Sequence, residues 1–478
     1  MDLDPNLRNV LYLAAAVLFM FGIKGLTHPR TAVRGNMLGA LGMLTAIVVT
    51  LIDKQMLGWG WIIGGLALGS GVGAYVAIKI QMTGMPQLVA LYNGFGGIAS
   101  ALVAGAVLHG WIHGAAQDSL SIFEFIGREG QNPTQAVVAT MASGLIGGIT
   151  FSGSVLAFAK LQQLISGNPI TNPLLKIANG LCTVGAIGVA IMLFMHPEQV
   201  GWYWALVVLS LFVGVFLVLP IGGADMPVVI TLLNSYSGIA AAATGFVLNN
   251  TVLIIAGSLV GASGLILTKV MCVAMNRSLT NVLFGVMAEV GVGPSSDEIY
   301  AGKVKAASPD EVAMLFDTAR KVLIVPGYGM AAAQAQHVVR DLASLLESRG
   351  VEVEYGIHPV AGRMPGHMNV LLAEADVPYD QLKEMDEVNA TMEQVDVVLV
   401  IGANDTVNPS AQEDPTSPIA GMPIIDVGKA RTVVVVKRSL SPGFAGIPNP
   451  LFAANNTLMM FGDGKKAVLE LIAALKAG

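Results

Sequence analysis

The sequence predicts a two-part protein: an α-helical polytopic membrane bundle of about nine spans, followed by a soluble α/β domain built on a doubly wound parallel sheet. Three observations lead there. Hydrophobic residues make up 54% of the 478 and charged residues 12%, a balance that repeated apolar runs of roughly 18 or more residues explain as bilayer spans. Only 18 charged residues fall in residues 1–276, mostly at the edges of apolar runs. Beyond about residue 310, short apolar strands alternate with helix-like segments, the pattern of a parallel sheet covered on both faces.

The expected spans centre on residues 10–27, 36–52, 58–78, 86–108, 135–158, 174–194, 201–219, 227–248 and 250–272. The start, Met1-Asp2-Leu3-Asp4-Pro5, lacks the basic region and cleavage site of a signal peptide, so the first run is expected to be a retained helix. Lys24, Arg30, Arg34, Lys79, Lys160, Lys176, Lys269 and Arg277 fall in one set of loops, and only Arg8, Lys54 and Arg128 in the other. Short basic loops favour the cytoplasmic side, which places the N-terminus outside and the C-terminal domain in the cytoplasm. The net charge of −6 points to no nucleic-acid partner. Cys182 and Cys272 lie inside apolar runs without a CxxC or CxxH partner and read as small buried hydrophobes.

Small residues recur at helix-contact spacing in Gly65, Gly69 and Gly73, in Gly144 and Gly148, and in Gly257 and Gly261. They are expected to build the bundle by close backbone approach. The polar exceptions are Asn93, Ser152, Ser154, the run Asn234-Ser235-Tyr236-Ser237, and Asp225 at the entrance to the eighth span. Asn234 lies ~13 Å along the helix beyond Asp225, well into a core of ~30 Å, so a polar file could run inward. The alternative stays open: Ser and Asn glue helices together, and Asp225 caps a helix whose Pro227 suits the first turn. His28, His109, His113 and His196 all fall in expected loops, where His109 and His113 could shuttle protons near the outer surface.

Residues 1–276 thus form the expected membrane domain, 277–309 a linker or hinge, and 310–478 the soluble domain. The linker's turn-rich section is Gly291 to Asp297. In the soluble domain, strands are expected at Val322–Val325, Val351–Ile357, Val395–Ile401, Pro423–Asp426, Thr432–Val436 and Thr457–Phe461. One helix is expected over 330–348, ending at Gly350, and a last one over Lys465–Lys476.

Gly327-Tyr328-Gly329-Met330-Ala331-Ala332 directly follows a buried strand and opens a helix. Glycines there let backbone approach a pyrophosphate, which makes this a Rossmann-like dinucleotide site rather than a bare turn. The second strand ends Tyr355-Gly356-Ile357-His358-Pro359 and is followed by Arg363 instead of an acid. A later strand exits into Lys437-Arg438-Ser439, donors suited to a 2′-phosphate, so NADP(H) is favoured over NAD(H). The plainer reading is that Lys437 and Arg438 solvate a sheet edge, and Glu352 and Glu354 leave NAD(H) open. Two further loops, Gly402-Ala403-Asn404-Asp405-Thr406-Val407-Asn408-Pro409 and Gly443-Phe444-Ala445-Gly446, lie on the strand-end rim where ligands bind, although ordinary turn chemistry accounts for much of their composition.

These residues match a known family over the whole chain. The runs Ile221 to Pro227, Leu233 to Gly238, Pro326 to Ala331, His358 to Arg363, Gly366 to Asn369, Gly402 to Pro409 and Lys437 to Ser439 resemble the β subunits of the Re/Si-specific, proton-translocating NAD(P)⁺ transhydrogenases. The resemblance implies NADP(H) on Gly327, Tyr328, Gly329, Met330 and Ala331, with Arg363 and Asp405 near it, Lys437 and Arg438 on its 2′-phosphate, and Gly443 to Gly446 as a lid. It also implies that Ser154, Asp225 and Asn234 belong to a proton path or its coupling. Asn93 departs from the pattern, since some bacterial members carry a membrane His there. Asn does not titrate near neutral pH, so the relay group would be water, another side chain or a partner helix.

The function implied is hydride transfer from NADH to NADP⁺ coupled to inward proton movement across the inner, cytoplasmic membrane. No protein nucleophile or metal is required, because hydride passes directly between the cofactors. The chain shows one dinucleotide fingerprint, so a separate α subunit would bind NAD(H), and family analogy suggests a dimer of αβ units. A transporter or channel gated by a regulatory NADP(H)-binding domain shares the architecture but predicts binding without turnover.

Overall fold

The computed structural model describes residues 4–26, 29–53, 59–167, 169–284, 299–300, 302–443 and 445–477. His28, Lys54, the turn-rich section at 291–297 and Phe444 lie outside the described residues. Contacts between Cα atoms divide the chain into two compact units. The first holds Met1–Ser166, Ile170–Pro220 and Ile230–Leu267, and the second holds Gly167–Pro169, Ile221–Val229 and Thr268–Gly478.

Among the described residues nine helices are long and apolar enough to cross a membrane, matching the nine expected spans. They are α1 (Pro5–Leu26), α2 (Pro29–Asp53), α3 (Trp59–Lys79), α4 (Met85–Gln117), α6 (Pro133–Leu161), α7 (Pro173–Met195), α8 (Val200–Val218), α9 (Met226–Val247) and α10 (Thr251–Ala274). Short helices α5 (Ile122–Arg128) and α11 (Leu279–Phe284) join them. The starts of α6 and α7 are set by Asn-Pro pairs. Asn132 accepts from the Gln135 N–H at 3.2 Å and Asn172 from the Leu174 N–H at 2.9 Å, while Pro133 and Pro173 have no N–H to leave orphaned.

In the first unit α4 packs on α6, α6 on α8, α7 on α8 and α1 on α2. Glycine sets the closeness: a Cβ on Gly147 would run into the Gly97 carbonyl, and one on Gly257 into the Ala242 backbone. Gly144 lies against the Tyr203 ring and Gly148 against Ser210. Gly65, Gly69 and Gly73 correct the expectation, because nothing lies within 4 Å of a Cβ at any of them and α3 buries no residue. Two further expectations change. His109 and His113 belong to the last turns of α4 rather than to a loop, and Lys160 is a buried residue in the last turn of α6.

The α/β part carries a six-stranded sheet of order β3-β2-β1-β4-β5-β6 in which every pairing is parallel. The strands are β1 (Lys321–Pro326), β2 (Glu352–Ile357), β3 (Leu382–Glu384), β4 (Val397–Ile401), β5 (Thr432–Lys437) and β6 (Thr457–Phe461). That order is the doubly wound, Rossmann-like one, and its direction reverses between β1 and β4. The helices are α12 (Pro309–Thr318), α13 (Tyr328–Ala332), α14 (Gln336–Ser348), α15 (His367–Glu374), α16 (Met385–Thr391), α17 (Ser410–Glu413) and α18 (Gly464–Ala477). Strand side chains alternate between faces. Leu323, Val325, Val398, Val400, Val433 and Val435 pack with Val388, Met392 and Phe452 in one core. On the opposite face, α14 lies on β2 and α18 on β5.

Two local expectations fail for identifiable reasons. Pro423–Asp426 is not a strand: Pro423 has no N–H, the Ile424 carbonyl accepts from Asn389 at 2.8 Å, and the Ile425 N–H donates to Thr406 at 3.0 Å. The third strand is instead Leu382–Glu384, three residues at the sheet edge with no apolar run to announce them. The helix expected over 330–348 is broken at Gln334, whose φ of +49° separates α13 from α14.

Candidate functional site

The site lies where the strand order reverses, at the C-terminal ends of β1 and β4. The Gly327 N–H donates to the Ile401 carbonyl at 2.8 Å and the Gly329 N–H to the Gly402 carbonyl at 2.9 Å. A Cβ on Gly329 would sit 2.6 Å from the Gly402 Cα, and Gly402 has φ +66° with the Gly329 Cα against it. The glycines are therefore demanded first by the two turns seating into each other, backbone on backbone. Met330 and Ala331, both expected to touch the cofactor, are completely buried, backbone included, and pack beneath the cradle.

Around this cradle is a cavity of about 430 Å³, with all its described walls in the second unit. Of the expected cofactor residues, Gly327, Tyr328, Gly329, Gly402, Asn404, Asp405, Thr406, Lys437, Gly443 and Ala445 line it. Arg363 does not; its guanidinium stacks 4.2 Å from the centre of the Tyr328 ring. Arg438 points to solvent, paired with Asp463 at 2.7 Å, and Ser439 bonds the Ser441 hydroxyl at 2.8 Å. Gly446, with φ +70°, turns the 443–446 loop without lining the cavity.

Lys437 sits at the last position of β5, 5.1 Å above the Phe452 ring centre, and donates to the Ser441 carbonyl. Burial pulls its ammonium below the ordinary value, opposed by the nearby Asp405 charge. Asp405 also accepts from the Ala445 N–H at 3.0 Å, and a Cβ on Gly443 would overlap its carboxylate. The 443–446 loop is thereby tied to the loop after β4. Asn449 reinforces the tie by donating to the carbonyl and side-chain oxygens of Asn404, both at 3.1 Å.

Two buried histidines that sequence reasoning assigned no role fix the loop after β2. His358 Nε2 donates to the Pro423 carbonyl at 2.7 Å while its Nδ1 accepts from the Val360 N–H at 3.2 Å. His367 Nδ1 accepts from the Arg363 N–H at 3.1 Å, and a Cβ on Gly362, φ +110°, would lie 2.6 Å from the His367 Cβ. Burial lowers the pKa of both to about 4, helped in His367 by Arg363 and opposed in His358 by the Pro423 bond. Both rings are neutral at pH 7. Their signal in the sequence is the pairing of each His with a turn former, His358-Pro359 and Gly366-His367.

The expected membrane residues divide. In the first unit, Asn93 on α4 donates to the Ile230 carbonyl of α9 at 3.4 Å. Ser154 on α6 is completely buried, its hydroxyl has no hydrogen-bond partner, and it faces Gly94. Asn234 is half-buried on α9, one turn beyond Ile230. The sequence reading missed Lys160, whose ammonium donates to the Leu219 carbonyl at 2.6 Å and the Val218 carbonyl at 3.4 Å, a cation placed on the C-terminus of α8. In the second unit, Asp225 pairs with Arg277 at 3.4 Å and keeps its other carboxylate oxygen buried without a partner. Burial pushes the Asp225 carboxyl up and Arg277 opposes this. Both residues line the same cavity as the glycine cradle, which sequence reasoning did not anticipate.

No three His, Cys, Asp or Glu side chains among the described residues cluster as a metal site. The family described as NAD(P) transhydrogenase beta subunit matches residues 8–474. Two proteins from Rhodospirillum rubrum named NAD(P) transhydrogenase subunit beta are each 47% identical over 472 residues, covering 98% of this chain and 99% of theirs.

Proposed function

This chain belongs to the NAD(P) transhydrogenase beta-subunit family, and from that premise we propose that it is the NADP(H)-binding, proton-conducting subunit of a proton-translocating transhydrogenase. The observation that carries the reading is the cavity at the β1/β4 reversal, where an interlocked glycine cradle, Asp405 and a half-buried lysine at a strand end converge. The residues fit a dinucleotide bearing a 2′-phosphate. The Gly327–Gly329 turn admits backbone-close phosphates, Lys437 supplies the cation for the third, and Arg438 and Ser439 at the rim stand within one and two residues of it.

When bound, NADP(H) supplies the hydride-accepting chemistry, and NADH on an α subunit supplies the hydride. The protein's own part is to hold and exclude. Tyr328, held by the Arg363 guanidinium on its ring, walls one side, and Gly443 and Ala445, packed against Asp405, wall another. Residues 310–478 form the nucleotide domain in this reading, 277–309 the hinge, and 1–276 the proton-translocating bundle. Asn93, Ser154 and Asn234 line or position the membrane path. Asp225, in the cavity wall, is the coupling residue in this reading: its charge state and the nucleotide's occupancy bias one shared equilibrium. The bundle lies in the cytoplasmic membrane, N-terminus outside and nucleotide domain inside, as the excess of Lys and Arg toward one set of span ends favours. One dinucleotide cradle in this chain requires the α subunit for turnover, and a dimer of αβ units is the expected assembly.

The test is hydride exchange from NADH to an NADP⁺ analogue by the full chain joined to an NAD(H)-binding α subunit. Turnover is expected only with both chains present. Lys437→Ala is expected to weaken NADP⁺ binding by roughly 10- to 100-fold, the size of a lost hydrogen bond to a charged group. Tight NADP(H) binding without turnover, beside an α subunit of proven competence, would overturn the redox reading in favour of a nucleotide-gated transporter.

A further inference from the structure

We infer that His109 and His113 form a two-coordinate chelate for a divalent transition metal, Cu²⁺ or Ni²⁺ by geometry, at the end of α4. The residues are one helical turn apart, and their Nε2 atoms stand 2.9 Å from each other with the rings nearly perpendicular, 85°. Residues at i and i+4 share a helix face, so the backbone itself holds both donors on one side. Helical His pairs at this spacing are a known way to present two imidazoles to one ion.

The separation of the two nitrogens, set in the metal-free pair by their hydrogen bond, is already close to the bite of one chelated ion. With metal–nitrogen bonds of about 2.0–2.1 Å, donors 2.9 Å apart subtend about 90°, whereas a tetrahedral ion would need about 3.3–3.4 Å. A right angle is the cis angle of square-planar and octahedral ions, so Cu²⁺ and Ni²⁺ fit this pair better than tetrahedral Zn²⁺, and Cu²⁺ should bind most tightly. In the metal-free pair one Nε2 donates and the other accepts. For both to ligate, each ring must carry its single proton on Nδ1, so the metal takes the place of the shared Nε2 proton.

The location suits a dissolved ion. Helix α4 has 33 residues, about 50 Å, against a hydrocarbon core of ~30 Å, and both imidazoles are exposed within its last nine residues. Gln117, the next residue on that face, is exposed as well. Among the described residues no third His, Cys, Asp or Glu joins the pair, so water would complete the coordination sphere.

The test is titration of the untagged full chain in detergent with Cu²⁺ alone, followed by calorimetry and electron paramagnetic resonance. One equivalent is expected to bind with the hyperfine pattern of two nitrogens. His109→Gln and His113→Gln should each weaken binding by at least about tenfold, the lower end of what even outer-shell losses cost. Glutamine keeps the helix, so unfolding should not confuse the result. His337→Gln, on α14 of the other unit, should change nothing. Undiminished binding in either α4 variant, a one-nitrogen signal, or no binding below millimolar Cu²⁺ would overturn the assignment.

Discussion

At Gly402, φ is +66° and the Gly329 backbone occupies the space a side chain would need. A Cβ there meets two penalties at once, the left-handed conformation at about 1–2 kcal/mol and the overlap at about 1–3. Gly402→Ala should therefore cost at least about 2 kcal/mol in urea denaturation and weaken NADP⁺ binding with it. Gly428→Ala, which meets only the Leu451 side chain at 3.7 Å, should do neither. The buried histidines set an acid limit at the same scale. His358 titrates near 4 in the fold against an ordinary 6.5, so the unfolded chain binds a proton in that window that the folded chain does not. Stability is complete above about 6.5 and falls as the pH drops toward 4, by on the order of 3 kcal/mol for His358 alone. Hydrogen-exchange protection of β1 and β4, corrected for intrinsic rates, should decline across that range, and less steeply in His358→Asn.

At the scale of elements, the spans and the central strands were legible because each is an unbroken apolar run: β1 and β4 read Val-Leu-Ile-Val and Val-Val-Leu-Val-Ile. Strand β3 was not, since Leu-Lys-Glu has neither length nor alternation and exists only because β2 offers it an edge. Lys160 was misread for a related reason. Its charge argues for a loop, and only the carbonyls at the end of α8 explain its place in a helix. The cradle loops were identified by their glycines, but the role of Gly402 in seating Gly329 needs the third dimension, as does the meeting of Asp225 and Arg277 with the cavity. Spacing alone also overstated α3. Gly148 and Gly69 both belong to small-residue stripes, yet of the two only Gly148 touches another helix, as its neighbour Gly147 does. Gly147→Ala should lower the melting temperature in detergent by several degrees through the α4–α6 contact. Gly69→Ala should leave it unchanged in the isolated chain.

For the molecule as a whole, the sheet's two margins differ in how they are finished. On one side β3 is three residues long and carries Lys383 and Glu384. On the other, the segment before α12 lies along β6: the Met459 N–H donates to the Lys305 carbonyl at 2.8 Å, and the Ala307 N–H to the Met459 carbonyl at 3.0 Å. Tyr300, upstream of that segment, stacks on Phe452 in the core and accepts from the Asn449 N–H at 2.8 Å. Tyr300 and residues 302–307 therefore cover the β6 margin, and an uncovered strand margin is a template for pairing with another chain. A fragment begun at residue 310 should form soluble oligomers on size-exclusion chromatography where one begun at 299 runs as a monomer, and equal elution of the two would show that β6 needs no cover.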